Sequence, residues 1–145
     1  HGMTSPQEFA QATAERVLGN PLGRHLGMTV IEATPDRIVA GLTFSEHNTT
    51  AGDQVHGGAI STLIDAAATA VAWAGVDLDS LPSFGTTVTL EVRFMAPARG
   101  CDLVATATVP RRGRSICFCH VEVTDPEGNR VAQGDCVYKL GYPRS

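Results

Sequence analysis

One segment of the chain constrains the fold more than any other. From Gly57 to Val76 twenty residues run without a Lys, Arg or Glu, and seven of them are alanine. The length matches a membrane span, but the composition speaks against one. Asp65 stands near the centre, Ser61, Thr62 and Thr69 add hydroxyls, and no basic flank anchors either end. A helix that is apolar on nearly every side is more simply one that other protein wraps. Gly75 is its expected end.

The flanking segments supply the wrapping. Ser5-Pro-Gln-Glu8 reads as a capping box with proline at the first helical position, and Gly19-Asn20-Pro21 as the stop of a short N-terminal helix. Gly27 to Ala33 and Arg37 to Ser45 favour strand around a Pro35-Asp36 turn, with Ile38, Ala40, Leu42 and Phe44 alternating, so they predict a hairpin. A polar loop, Glu46 to Gln54, leads into the apolar helix. Four more strands follow, over Thr86–Ala96, Asp102–Val109, Ser115–Thr124 and Arg130–Leu140, and their short connections require antiparallel neighbours.

One helix cannot cover both faces of six strands. The economical solution is an α+β architecture, an antiparallel six-stranded sheet wrapped around one long apolar helix, with a short N-terminal helix in addition. That arrangement is the hotdog fold. On the third strand Val88, Leu90, Val92 and Phe94 are expected to face the helix and Thr87, Thr89, Glu91 and Arg93 to face away. The uncovered sheet face invites a second subunit. The 145 residues read as a single domain spanning 1–145, in which 3–26 form the N-terminal helical segment and His1-Gly2 look like a remnant of an expression tag.

A formal charge of −4 argues against attraction of the whole surface to nucleic acid or anionic membrane, so an anionic ligand must be held by local groups. Cys101, Cys117, Cys119 and Cys136 contain no CxxC pair and no disulfide-framework spacing. With no visible export signal, reduced thiols in a cytoplasmic protein are the expectation.

The chemistry concentrates in His56-Gly57-Gly58 and, eight residues after Gly57, Asp65. Two glycines at a helix start leave backbone N–H groups unshielded at the positive end of the helix dipole, where they can polarise a carbonyl or hold an oxyanion. The same glycines also suit close packing against a strand. Asp65 is a carboxylate among small neighbours, Ser61, Thr62, Ala68, Thr69 and Ala72, with no basic partner on its helix. Space beside such a group suits a substrate and a water molecule; a structural Asp bonded to those hydroxyls is the alternative. Eight helical residues separate Gly57 from Asp65 by roughly 12 Å along the axis. They cannot act on one carbonyl within a single chain, so if both are catalytic the site straddles two subunits, with antiparallel helices around a two-fold axis.

His-Gly-Gly with Leu63, Asp65 and the last four strands resembles the phenylacetate-degradation (PaaI-like) branch of hotdog acyl-CoA thioesterases, over roughly Gly27 to Leu140. The resemblance implies hydrolysis of an acyl-CoA to free acid and CoA, without any cofactor or metal beyond the CoA of the substrate. It implies Asp65 as general base or nucleophile, the Gly57 N–H on the thioester carbonyl, His56 at the helix start and near the thioester, and Thr87 placing the water. It also implies a homodimer at minimum and favours a homotetramer. One departure stands out. Where the family often carries Asn six residues before the His, this chain has Thr50, with Asn48 two residues earlier; Asn48 is the candidate for the second carbonyl contact.

Other signals are weaker. Gly58 and the arginines Arg99, Arg111, Arg112 and Arg114 are the candidate substrate contacts, since guanidinium forks suit the phosphates of CoA; solvated hairpin tips are the alternative for the arginines. Cys117, Cys119 and His120 do not make a metal site, because strand alternation puts His120 on the opposite face from both thiols. Glu91, on the polar strand face, reads as an ion-pair partner of an Arg. Two rival functions remain, a non-catalytic acyl-CoA-binding hotdog module and an enoyl-CoA hydratase or dehydratase. Ala66 to Trp73 holds no His, which counts against the second.

Overall fold

A computed structural model describes residues 4–144, so the tag-like His1-Gly2 lies outside the described residues. Helix α1 (Pro6–Leu18) starts at the expected capping box: the Ser5 hydroxyl accepts from the Glu8 N–H at 3.0 Å, and the Glu8 carboxylate accepts from the Ser5 N–H at 3.0 Å. The stop at Gly19-Asn20-Pro21 needs correcting. Gly19 does end α1, but the Asn20 side chain accepts from the Gly23 N–H at 2.8 Å, and Pro21 opens a second helix, α2 (Pro21–Leu26). Proline fits the first turn of a helix because the N–H it lacks has no partner there. Gly27, at φ 86°, closes α2 in the left-handed conformation that glycine tolerates.

The long segment forms α3 (Gly57–Ala74), ending at Gly75 as expected. Around it lie β1 (Met28–Thr34), β2 (Arg37–Leu42), β5 (Phe84–Phe94), β6 (Leu103–Arg112), β7 (Ile116–Thr124) and β8 (Arg130–Gly141), in one antiparallel sheet of order β1-β2-β6-β7-β8-β5. The expected hotdog architecture is the observed one. Between β2 and α3 the polar loop holds more structure than its composition suggests, a short 3-10 turn and a small hairpin of β3 (Thr49–Ala51) and β4 (Gln54–Val55).

The alanines of α3 explain how the sheet closes on the helix. Ala59, Ala67, Ala68, Ala70, Ala72 and Ala74 are buried together with Ile60, Leu63, Ile64 and Val71, facing Ile38, Ala40, Ala105, Ala107, Cys117, Cys119, Val121, Val123 and Cys136 of the sheet. The approach is close at Gly134, where an added Cβ would meet Ile64 Cγ2 at 2.6 Å. The burial of α3 in the sheet accounts for its membrane-like composition. Helix α1 packs across α3 through Ala10, Ala14 and Leu18.

Strand β5 corrects the expected alternation. Leu90, Val92 and Phe94 pair with Cys136, Gly134 and Ala132, inward-facing residues of β8, while Glu91 and Arg93 face out as predicted. Between Thr87 and Thr89 the register shifts by one residue. This bulge turns Thr87 toward the helix, opposite the buried Tyr138, and leaves Val88 at 54% exposure. β5 is also an edge strand, and Phe84, Val88, Leu90, Phe94 and Met95 along it are exposed large apolar side chains.

Candidate active site

Asp65 sits on the third turn of α3 and is partly buried. The Thr87 hydroxyl donates to Asp65 Oδ1 at 2.7 Å, the hydrogen bond that the bulge in β5 makes possible. Among the described residues no Lys, Arg or His forms an ion pair with this carboxylate. Asp65 therefore has an orienting hydroxyl donor and no ion-pair partner, the condition of a carboxylate free to take up a proton or attack.

The start of α3 divides the duties of its two glycines. His56 is the N-cap, and its Nδ1 accepts from the Gly58 N–H at 2.7 Å. An added Cβ on Gly58 would lie 2.9 Å from that nitrogen, so glycine is what lets the cap close. Because Nδ1 accepts, the neutral ring carries its proton on Nε2, which is left as a donor. Gly58 was expected to touch substrate; its N–H is instead committed to the cap. The Gly57 N–H has no acceptor among the described residues. Gly57 borders a groove of about 480 Å³ lined also by Gln54, Ile60, Phe94, Met95, Pro97 and Arg99. Packing matters here too, for an added Cβ on Gly57 would lie 3.3 Å from the Phe94 ring.

Asn48 does not take the place expected of it. It is 5% exposed, its amide donates to the Leu26 carbonyl at 2.7 Å, and its own carbonyl accepts from the His56 N–H at 2.7 Å. It is a strut that ties the end of α2 to the start of α3. Thr50 is exposed on β3.

The arginines separate. Arg99 stands on the rim of the Gly57 groove and pairs with Asp53 at 3.6 Å. Arg112 lies toward the other end of α3, roughly 22 Å along the axis from Gly57, and its assignment to phosphates needs correcting. Its guanidinium donates to the carbonyls of Ala72 at 2.9 Å and Val71 at 3.0 Å. Helix α3 has no basic residue in its last turn, so Arg112 reaches in from β6 to satisfy carbonyls the helix cannot pair and to oppose its dipole. Arg114 stacks over the Tyr142 ring at 3.9 Å, and Arg111 is exposed on the hairpin.

Trp73 Nε1 donates to the Tyr138 hydroxyl at 2.8 Å, which ties the end of α3 to β8. Burial pushes the Cys136 thiol up to about 11, with the nearby Asp65 carboxylate adding to the effect, and burial pushes Cys119 up to about 12. Both thiols stay protonated at neutral pH and act as core residues. His120 lies on the outer face of the sheet, away from them, as alternation required.

Comparison with known proteins decides the family. Residues 52–132, the stretch from the β3–β4 turn to the start of β8, match the family described as the thioesterase superfamily. The chain belongs to the thioesterase superfamily. This thioesterase is 30% identical over 141 residues to acyl-coenzyme A thioesterase 13 of Homo sapiens, a match covering 96% of the chain and 89% of that protein. The crystal structure of thioesterase superfamily member 2 from Mus musculus superposes with a TM-score of 0.76 at 25% identity, over 96% of this chain and 100% of that one. PaaI from the phenylacetic acid degradation operon of E. coli shares the fold, with a TM-score of 0.82 at 20% identity over 95% and 99% of the two chains. The hotdog thioesterase expected from the His-Gly-Gly and Asp65 segment is thus borne out.

Proposed function

We propose that this thioesterase hydrolyses acyl-CoA thioesters, with Asp65 as the catalytic carboxylate at a site completed by a second subunit. The observation that carries the reading is Asp65 itself, held by Thr87 and paired with no cation among the described residues. The relatives named as acyl-coenzyme A thioesterases support the substrate class.

In this mechanism the Asp65 carboxylate takes a proton from a water oriented with the help of Thr87, and the water oxygen attacks the thioester carbonyl carbon. The oxyanion that forms is held by the N–H of the partner subunit's Gly57, with Nε2–H of the partner subunit's His56 beside it. Collapse breaks the carbon–sulfur bond, and the proton held by Asp65 goes to the departing CoA sulfur. Direct attack by Asp65 as nucleophile uses the same carboxylate and the same oxyanion donors. Arg99, on the rim of the Gly57 groove, is the arginine we assign to the CoA phosphates.

The exposed apolar side chains of edge strand β5 support the pairing of subunits, since an unpaired apolar edge is where a second chain adds. Two such dimers form the tetramer we infer, and the free thiols suit a reducing cytoplasm.

The test is thiol release from a panel of acyl-CoAs, phenylacetyl-CoA among them, by the protein and its Asp65→Asn variant. Loss of at least ~10²-fold in rate is expected. Binding without Asp65-dependent release would identify a non-catalytic module, and water addition to an enoyl-CoA would identify a hydratase.

A further inference from the structure

The N-terminal helices are outside the motif, yet they frame the space beside Asp65. A crevice of about 130 Å³ opens there, lined by Thr62, Asp65, Ala66 and Thr69 of α3 and by Val17, Leu22 and Met28 of the N-terminal segment and β1. Thr62 and Thr69 lie three and four positions from Asp65 and so share its side of the helix, with Ala66 bordering that side. Val17, Leu22, Met28 and Ala66 make much of the wall apolar. Of the polar groups besides the carboxylate, the Thr62 hydroxyl already donates to the Gly58 carbonyl at 2.8 Å and the Asn20 side-chain oxygen accepts from the Gly23 N–H at 2.8 Å, while the Thr69 hydroxyl lines the space beside them.

The far wall is rigid. The corner between α1 and α2 is so tight that a Cβ on Gly23 would meet the Leu18 carbonyl oxygen at 2.0 Å, and the Asn20 cap holds it closed. Asn48 braces the end of α2 against the start of α3. The crevice is therefore preformed. Leu22, 54% exposed, stands at its mouth.

We infer that this crevice between α3 and the α1–α2 corner receives the acyl group of the substrate, with Ala66 and Met28 setting its depth and Leu22 guarding its mouth. The inference rests on the thioesterase reading above and names the substrate class of the same site. A buried apolar cavity of about 150 Å³ takes a benzene ring; this crevice, at about 130 Å³ and open at its mouth, takes the first carbons of an acyl chain or part of a phenyl ring. A longer chain must leave over Leu22.

Two variants test it, each assayed for kcat/KM on acetyl-, hexanoyl-, phenylacetyl- and dodecanoyl-CoA, with circular dichroism confirming the fold. Ala66→Leu fills the crevice. It should lower the hexanoyl-to-acetyl and phenylacetyl-to-acetyl ratios of kcat/KM at least ~10-fold, since each methylene in an apolar pocket discriminates by about 10-fold or more. Leu22→Trp narrows the mouth from an exposed position and should lower the dodecanoyl-to-hexanoyl ratio; if Ala66→Leu does not fold, this variant decides alone. An unchanged chain-length profile in the folded variants overturns the subsite while leaving the thioesterase reading intact. Wild-type protein that releases thiol from none of the four overturns both.

Discussion

The Thr87 hydroxyl reaches the Asp65 carboxylate at 2.7 Å only because β5 carries one extra residue between Thr87 and Thr89. Without the bulge, strict alternation would point Thr87 to the outer face of the sheet and Val88 at the carboxylate. A local irregularity of the strand thus selects which side chain meets the acid.

Removing that hydroxyl while keeping its shape should damage the chemical step. Thr87→Val is expected to lower kcat by about 10- to 100-fold with a smaller change in KM, by loss of an orienting hydrogen bond. Thr87→Ser should retain most of the activity. Steady-state kinetics on one acyl-CoA checks both.

Arg112 predicts a stability effect in place of a binding effect. Its two bonds to the Val71 and Ala72 carbonyls are charge-assisted, and Arg112→Leu leaves those carbonyls without their partners. A loss of about 2–3 kcal/mol in urea unfolding is expected. Arg112→Lys should restore less than half of it, because an ammonium lacks the planar fork that spans two carbonyls.

Thr13 of α1 offers the opposite change. Thr13 is buried, 1% exposed, and its hydroxyl has no hydrogen-bond partner among the described residues. Thr13→Val keeps the branched shape and removes the stranded polar group, so the protein should gain about 1 kcal/mol. A rise in Tm is the readout.

The outer face of the sheet predicts a pH dependence. His120 Nδ1 lies 2.8 Å from Asp135 and Nε2 lies 2.7 Å from Glu122, while Arg93 and Arg130 pair with the same two carboxylates. Two acceptors require both ring nitrogens to be protonated, and the bonds to Glu122 and then Asp135 raise the His120 pKa on folding. A raised pKa contributes stability that is complete below the unfolded value of about 6.5 and is lost as pH rises through the higher folded value. The difference in Tm between the protein and His120→Gln should therefore be largest near pH 6 and shrink steadily toward pH 9.

Features that depend on local pattern were legible in the sequence. The Ala-rich helix, its end at Gly75, the capping box at Ser5 and the four late strands all follow from periodicity and punctuation within a few residues. Asp65 and the His56 start of α3 were legible for the same reason, as polar groups that break an apolar run. What escaped depends on partners far along the chain. The bulge at Thr87 is set by register against Tyr138 and Val137, and the role of Arg112 by carbonyls 40 and 41 residues away. Asn48 was expected at the thioester and instead serves Leu26 and His56, contacts that spacing from the His cannot reveal.

β5 is bonded to the sheet along one side only, by β8. The hydroxyl that bonds the Asp65 carboxylate therefore rides on a border strand of the sheet, where a second subunit docking alongside would bear on the proposed chemistry. If the proposed pairing of subunits uses that border, dilution should lower specific activity before it costs any secondary structure.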